Sequence, residues 1–527
     1  MFWLFLISAI AATLCAAFEF RRDLMMLQQN SYRNDRYRRW LDTSADTTTV
    51  MRLVSMAVVL ASFSTLSVPV VGAVLILATS VTNIIWLSTR KYKKPLVWTP
   101  RARRIYGVMS FLGLIAIIAP YFILRGSEES LEVMAAVALA VYCLSHVFTL
   151  AANWLLKPVE KHINARYYRE ASEILASMPD LKIIGVTGSY GKTSTKHYLN
   201  RILAEKFDVM MTPGSYNTTM GVIRTIREYL KPYNEVFIVE MGAKQPGDIK
   251  EICDLVHPSA GIVTAVGEQH LESFRTIENV QRTKFELVDA LPSDGLAVVN
   301  NDFPYSANRK VDNVECLRYG VSNPDGADYT ATDITYSPTG TSFTLRCPGG
   351  ENHDFHTRLV GECNVSNLLA AIIVAIKLGV PAEKIRYAVE KIEQVEHRLN
   401  MKRTPGGVTI IDDAFNSNPT GSAMALDVLA SIKGGRRIVV TPGMVELGER
   451  QEELNGQFGK KISRSADIAI IVNTYNREAI TEGIRKGAGS VEVHTVDTFS
   501  DAQRLLATIL RSGDTILYEN DLPDTFK

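Results

Sequence analysis

Four uncharged apolar runs fill most of the first 157 residues and limit what that part of the chain can become. They cover residues 2–18 (FWLFLISAIAATLCAAF), 53–87, 105–124 (IYGVMSFLGLIAIIAPYFIL) and 133–156, the last broken only by His146. Stretches of roughly 17–25 apolar residues match the hydrocarbon core of a bilayer. The run at 53–87 would form a helix about 52 Å long at ~1.5 Å per residue, well beyond a core of ~30 Å. Pro69 lies near its middle, so it reads as a helical hairpin, and five spans are expected. Two basic segments separate the runs: residues 19–52, with Arg21, Arg22, Arg33, Arg36, Arg38, Arg39 and Arg52, and residues 89–104, with Arg90, Lys91, Lys93, Lys94, Arg101, Arg103 and Arg104. Basic loops stay in the cytoplasm. Five spans with the N-terminus outside put both segments there. They leave the acidic connection near Glu128 and Glu129 outside and carry everything from Lys157 onward into the cytoplasm. A multi-pass protein of the cell (plasma or inner) membrane is the expectation. A cleaved signal peptide over residues 1–18 is the alternative, but the basic segment that should precede its apolar run is missing. His146 and Glu132, in or near the last run, are given no role.

The whole chain of 527 residues carries 57 Lys and Arg against 56 Asp and Glu, a net charge of +1. That total joins two unlike parts, because residues 1–157 hold 16 basic and 8 acidic side chains. The remainder is acidic. An apolar content of 46% excludes a disordered chain. The cysteines Cys15, Cys143, Cys253, Cys316, Cys347 and Cys363 form no CxxC pair and read as reduced thiols. The basic segments could suggest nucleic-acid binding, but membrane orientation accounts for them fully, so no nucleic-acid partner is expected.

After a polar, helical connector the sequence reads LKIIGVTGSYGKTSTKHYLNRILAEKF. A strand over Leu181–Val186 leads into a glycine-containing turn and then a helical pattern. That order suits phosphate, since the turn's N–H groups curl around the anion and the helix start adds partial positive charge. Gly188, Ser189, Gly191, Lys192, Thr193 and Ser194 are the candidate nucleotide-binding residues. Lys192 would reach the β- and γ-phosphates, and the Thr193 hydroxyl would hold Mg²⁺. Val186 occupies the first glycine position of the usual phosphate-loop motif. Two further strands, Val236–Val239 and Gly261–Val266, end near Glu240 and His270. Strand ends beside a phosphate loop are where ligands gather in an open α/β sheet, so both are candidate Mg²⁺ ligands.

In combination these residues resemble the Mur ligase family, most closely its D-alanyl-D-alanine-adding branch, over about residues 181–460. TGSYGKTSTK is similar to the family phosphate loop, GSYNTTMGV to its asparagine loop and VEMGAKQPGDI to its acidic strand end. VGEQHLESFRTIENVQRTKFEL is similar to the segment carrying the magnesium histidine and a following lysine, here His270 and Lys284. GECNVSNLLAA, EHRLN, DDAFNSNP and GMVELG resemble later motifs in order. The resemblance implies ATP-dependent amide formation between an acid and an amino acid or short peptide, through an acyl phosphate. It implies catalytic roles for Lys192, Lys284 and His270, and two Mg²⁺ sites built from Thr193, Glu240, His270 and Lys284, the lysine as a carbamate. Asn364 and Asn367 would lie at the adenine, and Arg398 and Asp413 would reach the nucleotide from the hinge and the C-terminal domain.

The chain departs from the family at Cys363, where histidine is common, at Gly443, where aspartate is, and at Thr218, where a second asparagine is. Tyr518-Glu519-Asn520-Asp521-Leu522-Pro523-Asp524 replaces a lysine-glycine-serine segment near the acceptor site. The family's uridine-nucleotide-binding domain has no visible counterpart. The acid substrate is therefore expected to be lipid-linked. The expected organisation is a transmembrane domain over 1–157, a central P-loop ATPase domain over 158–397 and a Rossmann-like α/β C-terminal domain over 398–527. A small β-rich insertion is expected over 302–360. Two other functions remain open: a polyglutamate-type synthase or an amidating ligase of envelope sugars, and a non-catalytic ATP-gated membrane protein.

Overall fold

The computed structural model describes residues 1–64, 69–124, 128–337, 340–415, 417–522 and 526. The turn of the expected hairpin (65–68), the residues before Glu128, Asn416 of the DDAFNSNP motif, and Pro523 and Asp524 lie outside them. The chain forms two compact units, residues 1–165 with 522–527, and residues 166–521.

The first unit is helical. Phe2–Gln29, Pro69–Thr89 and Pro100–Ile123 are long and apolar enough to cross a membrane. Ser130–Cys143 and Ser145–Ala176 would make a fourth span only if their 72° bend is counted within one crossing. Val50–Ser64 has 15 residues, about 22 Å at ~1.5 Å per residue, short of a full core. The expected count of five spans thus exceeds what the helix lengths support. The hairpin itself is present. Asn83 donates to the Ser55 hydroxyl at 2.9 Å, while Gly72 lies against Ser62, so the two arms run antiparallel.

In the first helix Ala9, Ala12, Cys15 and Ala16 are buried, whereas Trp3, Ile7, Ile10, Leu14 and Phe18 are exposed. Over residues 3–18 this helix buries mainly small residues, with Phe5, and exposes most of its large apolar ones, whereas its second half buries Phe20, Leu24, Met25, Met26 and Leu27; small residues at helix contacts let backbones approach closely. The first basic segment also differs from expectation, because the helix continues through it to Gln29. Arg22 and Arg52 are buried. Arg52 donates to Glu19 at 2.6 Å, and Arg22 pairs with Glu19 and Asp46. Glu19 and Arg22 are three apart on one helix and so share a face. These two arginines are internal partners of carboxylates and add nothing to an exposed basic loop.

The second unit holds two sheets. Strands β1 (Lys182–Thr187), β2 (Val209–Met211), β3 (Val236–Glu240), β4 (Ala260–Val263), β5 (Leu296–Asn300), β6 (Glu315–Gly320), β7 (Tyr329–Ser337), β8 (Gly340–Arg346) and β9 (Asn352–Thr357) form one nine-stranded sheet, in the order β2-β3-β1-β4-β5-β6-β7-β8-β9. Parallel pairing runs from β2 to β7, and antiparallel pairing ends the sheet. The segment expected as a small β-rich insertion in the central domain is β-rich and extends the main sheet, with β6 pairing on the edge of β5. An edge strand presents unpaired N–H and C=O groups, and the extension satisfies them. β4 ends at Val263, so the path to His270 is a loop where strand was expected to Val266.

Strands β10 (Asn400–Arg403), β11 (Thr409–Asp413), β12 (Arg437–Thr441), β13 (Ile468–Val472), β14 (Glu492–Val496) and β15 (Thr515–Glu519) form the second sheet, in the order β10-β11-β15-β12-β13-β14. All pairs are parallel except β10–β11. Central strands such as β3 and β13 are buried throughout, as continuous apolar runs in parallel sheets require. All six cysteines are free.

Candidate active site

The phosphate loop is held from behind by the segment that follows β4. The Ser189 amide donates to the Ala265 carbonyl at 2.8 Å, and the Ser189 hydroxyl donates to the Gly267 carbonyl at 2.9 Å. Ser189 thus braces the loop. Gly191 has φ +80° and caps the helix Lys192–Leu203. A Cβ there would lie 2.3 Å from Asn367 Oδ1, and one on Gly188 would lie 2.0 Å from Thr264 Oγ1. Gly191→Ala is expected to lose about 1–2 kcal/mol of stability from left-handed backbone alone and to push Asn367 aside. Chemical denaturation and ATP titration would record the two losses separately.

Register places the acid. Val186 of β1 pairs with Glu240 of β3, so the carboxylate emerges beside the loop. Glu240 Oε1 accepts from the Thr193 hydroxyl at 3.2 Å and from Asn217 at 3.1 Å. Its Oε2 accepts from Lys196 Nζ at 3.0 Å, and that ammonium also donates to the carbonyls of Thr212 and Gly214. Burial opposes the charge on Glu240, but Lys196 and Lys192 overcome it and hold the carboxyl below its ordinary range. Lys196 was missed by the motif reading, although it lies one helical turn beyond Lys192 on the same face.

Lys192 Nζ donates to the Gly188 carbonyl at 2.6 Å. Burial lowers it to about 8, against the attraction of Glu240. Lys284 is 1% exposed. Burial and the nearby Lys192 charge hold it well below the ordinary lysine range, which favours the neutral amine. His270 pairs through Nδ1 with Glu446 of the GMVELG motif. Burial lowers His270, and Glu446 counters part of that. Arg450 pairs with Glu268 close by, so one ion pair and one histidine–carboxylate contact join the segment after β4 to the segment after β12. Glu446 and Arg450 gave no signal as partners because the contacts cross between sheets.

One cavity is lined by Ser189, Gly191, Lys192, Thr193, Ser194, Glu240, Asn364, Asn367, Arg398 and Asp413, together with Tyr190, Phe303, Phe415, Ser417 and Glu519. The structure thus brings most of the expected residues together across both sheets. Gly188, His270 and Lys284 stand outside this lining. Asn364 is engaged at both ends, accepting from the Tyr198 hydroxyl at 2.8 Å and donating to the Val360 carbonyl at 2.9 Å. Asn367 accepts from the Thr195 hydroxyl at 3.2 Å. Arg398 stacks over Phe415. Burial raises Asp413 to about 6, against the attraction of Arg398. The Thr193 hydroxyl and the Glu240 carboxylate, already within hydrogen-bonding distance of each other, are hard oxygen donors of the kind Mg²⁺ selects.

Comparison with known proteins agrees with this geometry. Residues 186–375 match the Mur ligase middle domain, and residues 397–518 match the Mur ligase, glutamate ligase domain. The chain is 30% identical to the UDP-N-acetylmuramoyl-tripeptide–D-alanyl-D-alanine ligase of Bacillus subtilis (strain 168), over 64% of this chain and 72% of that protein. It is 31% identical to the protein of the same name from Escherichia coli (strain K12), over 53% of this chain and 61% of that one. Among solved structures, MurF from Acinetobacter baumannii superposes with a TM-score of 0.61 at 26% identity, covering 67% of this chain and 77% of its own. MurF ligase from Thermotoga maritima in complex with ADP gives 0.61 and 26%, covering 68% and 80%. The matches cover both sheets and the cavity they share, and the chain belongs to the Mur ligase family of ATP-dependent, amide-forming ligases.

Proposed function

We propose that this protein joins an acid to an amino acid or short peptide in the synthesis of a peptidoglycan or other envelope precursor, working at the cytoplasmic face of a membrane. The observation that carries the reading is the cavity that Lys192 and Thr193 of the phosphate loop and helix and Glu240 of the first sheet share with Arg398 from the hinge and Asp413 from the second sheet. A carboxylate does not react with an amine at neutral pH. ATP transfers its γ-phosphoryl group to the acid, the amine attacks the acyl phosphate, and phosphate leaves. Positioning and charge neutralisation are most of what such a transfer requires. Lys192 neutralises the phosphates, and Arg398 and Asp413 orient the nucleotide. Thr193 and Glu240 would hold one Mg²⁺, and His270 with a carbamylated Lys284 would hold a second. The metal supplies charge neutralisation on the phosphates when bound.

Membrane attachment is supported by the large apolar side chains exposed on the first half of the first helix, and by the three helices of sufficient length and apolarity. The acid substrate is read as lipid-linked because apolar helices stand where the family's uridine-nucleotide-binding domain would be. The relatives named for UDP-N-acetylmuramoyl-tripeptide and D-alanyl-D-alanine supply the leading candidates for the acid and the amine.

The test uses the full chain in nanodiscs with ATP and Mg²⁺, offering D-alanyl-D-alanine or single amino acids with lipid-linked or soluble uridine-linked muropeptide. ADP formation that depends on both acid and amine is expected, with the lipid-linked acid about tenfold better. Equal turnover of the soluble acid removes the lipid-linked substrate. ATP binding without amine-dependent ADP formation favours the gating function instead.

A further inference from the structure

The C-terminal sheet brings a second carboxyl group to the nucleotide cavity, and the nucleotide reading gives it no role. Glu519 is the last residue of β15 and the register partner of Asp413, the last residue of β11. Neighbouring parallel strands lie ~4.8 Å apart, and paired residues share a face. Glu519 is 1% exposed. Its Oε1 accepts from the Ser417 hydroxyl at 2.6 Å and from the Ser422 hydroxyl at 2.8 Å. No other hydroxyl or N–H among the described residues reaches its Oε2, which leaves that oxygen for Asp413. Asp413 in turn accepts the Leu399 amide at 3.1 Å. The chain beyond is pinned, since the Asn520 side chain donates to the Gly443 carbonyl at 2.6 Å, so Glu519 cannot swing out to water.

Charge balance then requires a proton. The groups facing this pair are Arg398 from the hinge, Asp412 from β11 and the Cys363 thiol from the helix Glu362–Lys377. The serines are uncharged, and Lys192 faces the same cavity from the phosphate loop. Arg398 is the cation that acts on Asp413, whereas burial and the Asp413 charge dominate at Glu519. Two adjacent buried carboxyls beside one cation do not both ionise at neutral pH.

We propose that Glu519 is a positioning residue for the nucleotide: its protonated carboxyl donates through Oε2 to Asp413 and holds the Asp413 carboxylate ionised and aimed into the cavity. Burial and the Asp413 charge raise Glu519 to about 8, while Asp413 stands at about 6. The pair therefore keeps one proton around neutral pH. A raised group holds its proton below its folded value and loses it as pH rises through about 8. Above that the donor is gone and the two charges repel.

The inference rests on the cavity being the nucleotide site, so the test separates the two. Binding of a non-hydrolysable ATP analogue with Mg²⁺ is measured from pH 7 to 9.5 for the full chain, Glu519→Gln, Glu519→Leu and Lys192→Ala. Glutamine keeps a donor that never titrates. Glu519→Gln is expected to match the native protein at pH 7 and to bind about tenfold more tightly at pH 9.5, a factor that a shift of about one unit supplies. Glu519→Leu should bind more weakly at every pH. Lys192 titrates in the same range in the native and Glu519→Gln proteins, so their ratio cancels it. Parallel pH profiles for native and Glu519→Gln protein overturn the proposal. Unchanged binding by Lys192→Ala overturns the site reading instead. Should Glu519→Gln fail to fold, infrared difference spectra of the native protein decide: a protonated carboxyl that loses its proton between pH 7 and 9 supports the pairing, and its absence refutes it.

Discussion

Lys192→Ala should lower amine-dependent ADP formation by about a thousandfold, the scale on which a positive charge at a transferring phosphoryl group acts. Among the described residues the side chain bonds only to carbonyls of its own loop, and the loop is braced independently through Ser189 and Thr264. Unfolding by urea should therefore change little. Coupled measurement of ADP release and of the urea midpoint checks both halves. Activity within tenfold of the native protein would mean that the phosphates are held elsewhere.

Glu240→Ala should fail in a different way. Lys196 and Glu240 are both almost completely buried, with side-chain exposures of 0% and 1%. Removing the carboxylate leaves an ammonium in the interior with, among the described residues, only the Thr212 and Gly214 carbonyls. Breaking a buried pair from one side costs about 3–5 kcal/mol, so a loss of about 3 kcal/mol in folding stability is expected along with loss of Mg²⁺-dependent turnover. Glu240→Gln keeps oxygen for Thr193 and Asn217 and should recover part of the stability without the activity. Because burial raises Glu240 while Lys196 and Lys192 lower it further, the native carboxyl sits below its unfolded value. Its contribution is present above the unfolded value and is lost as pH falls through the lowered one. Denaturation curves from pH 7 to 3 should show native stability falling toward that of Glu240→Gln. Equal stability of Glu240→Ala and native protein would remove the buried pair from this account.

Much of the active site was legible because its parts are local. A strand, a glycine turn and a helix in succession make a phosphate loop wherever they fold, and Gly188 through Ser194 occur together in the chain. Glu240 was legible as a polar residue ending an apolar run. The span count was less so. Hydropathy marks apolar length but does not say where a helix bends, as between Cys143 and Ser145, or how short an arm becomes, as in Val50–Ser64. Charge counting also assumed that arginines between apolar runs face water, whereas Arg22 and Arg52 turn inward to Glu19 and Asp46.

Which residue types could meet phosphate and magnesium is readable along the linear chain, because that chemistry depends on spacing within a single loop or strand end. The partners come from packing: Lys196 with Glu240, His270 with Glu446, and Asp413 with Glu519. Strand order and register set each of those distances, and two residues far apart in the chain become neighbours only when backbone hydrogen bonds place their strands side by side or their sheets face to face.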